Sequence, residues 1–175
     1  KKATVALSAT KDVQDAILND TQRAKLVDII DIRYWHYKVD GLYAPEGGKN
    51  LAPRQHARKM KVGKVTFDEA YRAVSEYRKK FPEKAVTYYA QNYPDMAWAV
   101  FMASGSCSVV PVADESFLTD AAAMDMEDTG TNKYQKLVKS GIGSIIYSHS
   151  ATDIPVHLSP GKYILKSVDP KTRSE

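Results

Sequence analysis

Residues Asp28 to Tyr37 read DIIDIRYWHY, and the fold turns on how they are interpreted. The apolar run Ile29-Ile30-x-Ile32 has the length and β-branched content of a buried strand, extending over 28–34. It leads straight into a cluster of Arg33, Tyr34, Trp35, His36 and Tyr37. Parallel α/β folds bind their ligands outside the carboxyl ends of the strands. Aromatic rings gathered at such an end form a platform for a flat apolar ligand face, and sugar rings are the commonest of these. The same residues also suit an aromatic edge of the core, and the segment alone leaves both readings open.

Outward from this strand, the pattern alternates. Ala3 to Ala9 is a short apolar run, and Lys11 to Val27 places Val13, Ala16, Ile17, Ala24 and Val27 at helical spacing with a break at Asn19-Asp20. Thr66-x-x-Glu69 is a capping box opening a helix whose apolar stripe is Phe67, Ala70, Tyr71, Val74 and Tyr77. Lys84 to Ala90 is a third strand, Asp95 to Ala103 a buried helix containing Trp98, and Cys107 to Val112 a fourth strand. Repeated strand, helix, strand order implies parallel pairing with right-handed crossovers. Residues 113–131 suggest a last helix, through Phe117, Leu118 and Ala121, and then a linker from Met126 to Thr131. Beyond it, 133–138, 143–148, 153–158 and 162–168 are short alternating or β-branched runs separated by turn residues, as in a small antiparallel β domain. The expected division is therefore 1–131 and 132–175.

A chain of 175 residues with 43% hydrophobic content suits one domain plus an appendage with a real core. Its net charge of +4 is modest and its acidic residues are dispersed, which argues against a nucleic-acid stripe. A single cysteine, Cys107, excludes an internal disulfide framework and a cysteine zinc site, and its apolar neighbours predict a buried inert thiol. No membrane span is visible, and no cofactor is implied. His36 and His56 lack metal-ligand spacing.

Taken together, IDIRYWHY, NLAPRQHARKM, KAVTYYAQNY, MAWAVFMASGS and the closing YILKSVDPKT resemble the C-terminal half of glycoside-hydrolase-like (β/α)8-barrel proteins of Bacteroidetes. These are similar to apiosidase-like enzymes and carry a C-terminal β-sandwich often labelled collagen-binding. The resemblance implies an α/β fold made of the second half of a TIM barrel followed by a small antiparallel β-sandwich. It also implies a periplasmic or extracellular setting and a carbohydrate ligand. Four βα units leave open sheet edges, so the missing first half of the barrel is an expected partner.

The expected activity is glycoside hydrolysis of a polysaccharide or complex glycan; the alternative is non-catalytic glycan binding or adhesion on a degenerate barrel. Retaining glycosidases use two carboxylates about 5 Å apart. The resemblance places the acid after the fourth strand of the whole barrel, in its missing first half, and the nucleophile at the end of the barrel's seventh strand, KAVTYYAQN, where Ala90 and Gln91 stand. Neither ionises, so neither can attack an anomeric carbon. Asp31, Asp40 and Glu46 are the remaining carboxylate candidates. The aromatic cluster with Arg54, His56, Tyr89, Gln91, Asn92 and Tyr93 makes up the expected substrate-binding set. Residues 38–65 form a connection too long for an ordinary βα loop, and their Arg54, His56, Arg58, Lys59, Lys61 and Lys64 suit the carboxylates or sulfates of an acidic glycan.

Overall fold

A computed structural model of the chain describes residues 3–38, 41–43, 65–89, 94–110, 115–148, 150 and 153–170. They fall into two compact units, 1–109 and 110–175. The architecture is mixed α/β, with one parallel and two antiparallel sheets and no closed barrel among the described residues.

In the first unit, β1 (Ala6–Ser8), β2 (Ile29–Ile32) and β5 (Ala85–Tyr88) form a parallel sheet in the order β1-β2-β5. The register pairs Leu7 with Ile30, Ser8 with Asp31, Ile30 with Val86 and Asp31 with Thr87. Side chains alternate across a strand. One face therefore carries Ile30, Ile32 and Val86, all buried, and the other carries Ser8, Asp31 and Thr87, half-buried or exposed. The long helix α3 (Phe67–Lys80) packs against this sheet, and its apolar stripe of Phe67, Ala70, Val74 and Tyr77 is buried. Its start is the expected capping box: Thr66 Oγ1 accepts from the Glu69 amide at 3.3 Å, and the Thr66 amide donates to Glu69 Oε2 at 2.8 Å.

The first helical stretch breaks where the sequence indicates, into α1 (Lys11–Asn19) and α2 (Thr21–Ala24). Asp20 makes the break by accepting from the amides of Gln22 and Arg23, which holds its carboxyl below the ordinary aspartate range. The face of α1 is a correction. Val13 and Ala16 are exposed, while Lys11, Gln14 and Leu18, a stripe at helical spacing, are buried. Polar side chains occupy that stripe because each finds partners inside.

The aromatic segment also departs from expectation. Strand β2 ends at Ile32, and His36–Lys38 forms β3, which pairs antiparallel with β4 (Gly41–Tyr43) inside what the sequence suggests is a loop. Helix α4 (Pro94–Met102) appears as expected, with Trp98 in the core. It ends in a Schellman motif: the Ser104 amide donates to Phe101 O at 2.9 Å and the Gly105 amide to Val100 O at 2.8 Å. Ser104 carries the left-handed φ of 54°. Gly105 is needed for another reason, since a Cβ there would lie 2.5 Å from Val100 Cγ1 and 2.9 Å from Val74 Cγ1. Beyond it, the Ser106 amide donates to Val86 O at 2.7 Å. The expected fourth strand does not form among the described residues 107–110, and Cys107 at its start has φ 58°, outside the strand region. Cys107 is exposed, not buried.

In the second unit, α5 (Glu115–Ala122) precedes a meander of β6 (Asp125–Glu127), β7 (Tyr134–Lys139) and β8 (Gly143–Ser148). The antiparallel expectation holds for 134–139 and 143–148, and β6 occupies the start of the expected linker. The other two expected strands do not form, since residues 153–170 contain no regular element. Their alternating composition has no described ladder partner, and Pro155 and Pro160 remove two backbone donors. No helix among the described residues is long and apolar enough to cross a membrane.

Candidate functional site

Parallel pairing places the carboxyl ends of β2 and β5 next to each other, and the Tyr89 amide extends the ladder by donating to Ile32 O at 3.1 Å. Residues two apart on extended chain share a face, so Asp31 and, one residue past the end of β2, Arg33 meet Thr87 and, one residue past the end of β5, Tyr89. Asp31 Oδ2 accepts from Arg33 Nε at 2.9 Å, and Asp31 Oδ1 accepts from Thr87 Oγ1 at 3.0 Å. The Arg33 guanidinium carbon stands 5.4 Å from the Tyr89 ring centroid, within cation–π range. Burial grades along this group: the Asp31 side chain is 13% exposed and that of Arg33 49%, with Tyr89 about a third exposed. The arrangement is an acid sealed by two donors, supporting a guanidinium and a phenol ring that face solvent.

Beside it lies a core built around Trp35. The ring is 1% exposed, so the expected open stacking platform at Trp35 is replaced by a packed one. Its indole Nε1 donates to Gln14 Oε1 at 2.7 Å, and Tyr37 and Tyr77 meet it edge-on at 5.4 and 6.0 Å. Gln14 Nε2 in turn donates to Leu7 O at 3.0 Å and Asp31 O at 2.9 Å. One amide thus ties the ends of β1 and β2 to the aromatic segment. His36 and Tyr37 are buried as well, and Tyr34 is half-buried.

A charged network covers the outer side of this core. Lys11 Nζ donates to Asp15 Oδ2 at 2.9 Å and Glu76 Oε1 at 2.8 Å, and sits 5.3 and 4.9 Å from the Trp35 and Tyr77 ring centroids. Tyr37 donates to Glu76 Oε2, and Tyr77 donates to Asp15 Oδ1 at 2.9 Å. Burial disfavours the Lys11 charge, but the hydrogen bonds and charges of Glu76 and Asp15 outweigh it and raise its pKa. Burial, then the Glu76 bond and charge, push the Tyr37 hydroxyl up to about 12. Burial and the Asp15 bond raise Tyr77 further, and burial with the Glu69 charge raises Tyr88. Every acid in this network has a cationic or phenolic partner, so it reads as architecture.

Of the residues singled out from sequence, the structure brings Asp31, Arg33 and Tyr89 together and withdraws Trp35, His36 and Tyr37 into the core. Asp40, Glu46, Arg54, His56, Ala90, Gln91, Asn92 and Tyr93 lie outside the described residues. Gln14 and Thr87 are the members that sequence reasoning missed. Thr87 is legible in retrospect, because Asp-x-Arg at the end of β2 and Thr-x-Tyr at the end of β5, each running one residue past its strand, show the same two-residue polar period. Gln14 has no such signal, since its partners are backbone carbonyls distant in sequence. No group of three or more His, Cys, Asp or Glu side chains suited to a metal ion occurs among the described residues.

Residues 1–124 match the family described as Domain of unknown function (DUF6298). No curated protein and no solved structure matches.

Proposed function

Starting from the fact that the chain belongs to the DUF6298 family, we propose that it is a carbohydrate-active protein whose glycan lies across the carboxyl ends of β2 and β5. The observation that carries this reading is the Asp31–Arg33–Thr87–Tyr89 group, in which two strand ends present a partly exposed phenol ring and a guanidinium on a buried acid. A phenol beside fixed polar donors is the surface on which the apolar face of a sugar and its hydroxyls are both satisfied. The half-barrel reading rests on the parallel sheet, whose buried face lies under α3 while the face bearing Ser8, Asp31 and Thr87 stays partly open. All-parallel sheets are normally covered on both sides. In the half-barrel reading, further barrel strands and helices or an equivalent partner cover that face.

Glycoside hydrolysis is the activity the sequence resemblance implies. The pairing of Asp31 favours a second reading, glycan binding without bond cleavage: both carboxylate oxygens are already occupied, and the nucleophile position holds Ala90 and Gln91. Affinity electrophoresis against a panel of plant and host polysaccharides tests the shared part. At least one should retard the chain, and Tyr89→Ala should weaken that retardation without lowering the melting temperature. Retardation by none of them would remove the carbohydrate reading. Exposure to mechanism-based fluorosugars followed by mass spectrometry separates the two activities. A labelled peptide from residues 84–93, or label on Asp31, Asp40 or Glu46, establishes retaining hydrolysis; a clean spectrum with binding intact and no new reducing ends released from the retarding polysaccharide establishes the binding protein, since an inverting hydrolase leaves no label.

A further inference from the structure

Resting on that carbohydrate reading, we infer that the glycan is anionic and that Arg33 receives the carboxylate of a uronic-acid residue. Three features of Arg33 carry this. Its Nε is already committed to Asp31, which fixes the plane of the guanidinium, and the Tyr89 ring at 5.4 Å restricts it further. The two terminal nitrogens have no partner among the described residues, and the side chain is half-exposed. A guanidinium held by one edge presents its other edge as a planar pair of donors, whose spacing matches the two oxygens of a carboxylate.

Asp31 does not cancel this attraction. Its carboxylate is mostly buried and both its oxygens are engaged, whereas the Arg33 side chain is half-exposed, so an incoming anion meets the more accessible partner first. The net charge of +4 adds a weak field of the same sign. In this arrangement Arg33 is the binding residue, and Asp31, Thr87 and Tyr89 are positioning residues. A sulfate ester also offers two oxygens to such a fork, so a sulfated glycan is the competing anion.

The test is calorimetric titration of the chain with oligogalacturonate, with a neutral galacto-oligosaccharide of the same length, and with a sulfated galactan fragment, at low and at moderate salt. Binding of the uronate should exceed that of the neutral oligosaccharide by about tenfold, a gap of about 1.4 kcal/mol. Arg33→Gln should bring this ratio close to one while the protein stays folded, with a melting temperature lowered modestly because Asp31 keeps only the Thr87 donor. Arg33→Lys should restore only part of it, because an ammonium lacks the planar fork. Equal affinity for uronate and neutral ligand, a preference for the sulfated fragment, or a uronate preference that survives in Arg33→Gln would each overturn the assignment while leaving the carbohydrate reading standing. Absence of binding by all three, together with no retardation by any polysaccharide, would remove both.

Discussion

Gln14 satisfies three buried groups at once: the carbonyls of Leu7 and Asp31 and the indole of Trp35. Replacing it with leucine keeps volume but strands those groups, at about 1–3 kcal/mol for each one left without a partner. Gln14→Leu should therefore lower unfolding free energy by about 3 kcal/mol in urea titration, and Gln14→Glu should do no better, because it presents acceptors to carbonyls. Trp35→Ala belongs with it. A ring this buried costs about 3–5 kcal/mol on truncation, so Trp35→Ala and Trp98→Ala should shift the urea midpoint comparably; an unshifted midpoint in Trp35→Ala would restore the open-platform reading. At the end of α4, Ser104 and Gly105 make opposite predictions. Ser104→Gly relieves a left-handed φ and should raise stability by up to about 1 kcal/mol. Gly105→Ala drives a methyl into Val100 and Val74 and should lower it by about 1–3 kcal/mol. Thermal melts of the two variants check the pair.

Among the elements, α1, β3 and α3 are joined by charge as much as by apolar contact. Lys11 on α1 and Glu76 on α3 bond across 65 positions of sequence, Tyr37 of β3 donates to Glu76, and the Arg72 guanidinium lies 4.1 Å from the Tyr37 ring centroid. The pKa values of Lys11, Tyr37 and Tyr77 are all raised in the folded protein. A raised folded pKa means that the native state binds its proton more tightly than the unfolded chain. The stabilisation is complete below the unfolded values near 10 and is lost as pH climbs toward the folded ones. The protein should therefore hold its melting temperature up to about pH 9 and lose it steeply between about pH 10 and 12. Tyr37→Phe should melt lower than the parent at pH 7, having lost the Glu76 bond, and the gap should narrow at pH 11.5. A constant gap across that range would show that Tyr37 does not titrate with the fold. Residues 153–170 behave differently, because strand-like composition there finds no ladder and leaves Ile164 90% exposed.

At the scale of the molecule, protection should follow position in the parallel sheet. Among the described strands β2 is central, with Ile30 and Ile32 fully buried, whereas β1 is an edge with Ala6 and Ser8 exposed. In native-state hydrogen exchange the β2 amides should be the slowest of the first unit, those of β1 markedly faster, and those of 153–170 close to unprotected rates. Among the described residues, trypsin should accordingly cut at Lys162 or Lys166 before any site in α3. Early cleavage within α3 would contradict the burial pattern.

The amino-acid sequence by itself determined the local elements whose signals are local: the capping box at Thr66, the break at Asp20, the buried helix around Trp98, the core strand at Ile29–Ile32 and the change from parallel to antiparallel pairing. Each depends on neighbours within a turn or on a period of two or 3.6 residues, and both are written along the chain. Tertiary structure decided burial where the local pattern was ambiguous or misleading. Trp35 is buried because Gln14, Tyr37 and Tyr77 converge on it from three separate segments; the polar stripe of α1 faces inward because its partners are strand carbonyls and a distant glutamate. Residues 153–168 have the composition of strands and are not strands, for a strand needs a neighbour to pair with. The candidate site follows the same division. Asp31, Arg33 and Tyr89 were visible as residues of the right chemistry, but the register that sets Asp31 against Thr87 and turns Arg33 toward solvent exists only once β2 and β5 are side by side. Periodicity tells a side chain which face it shares, and long-range packing decides whether that face meets protein or water.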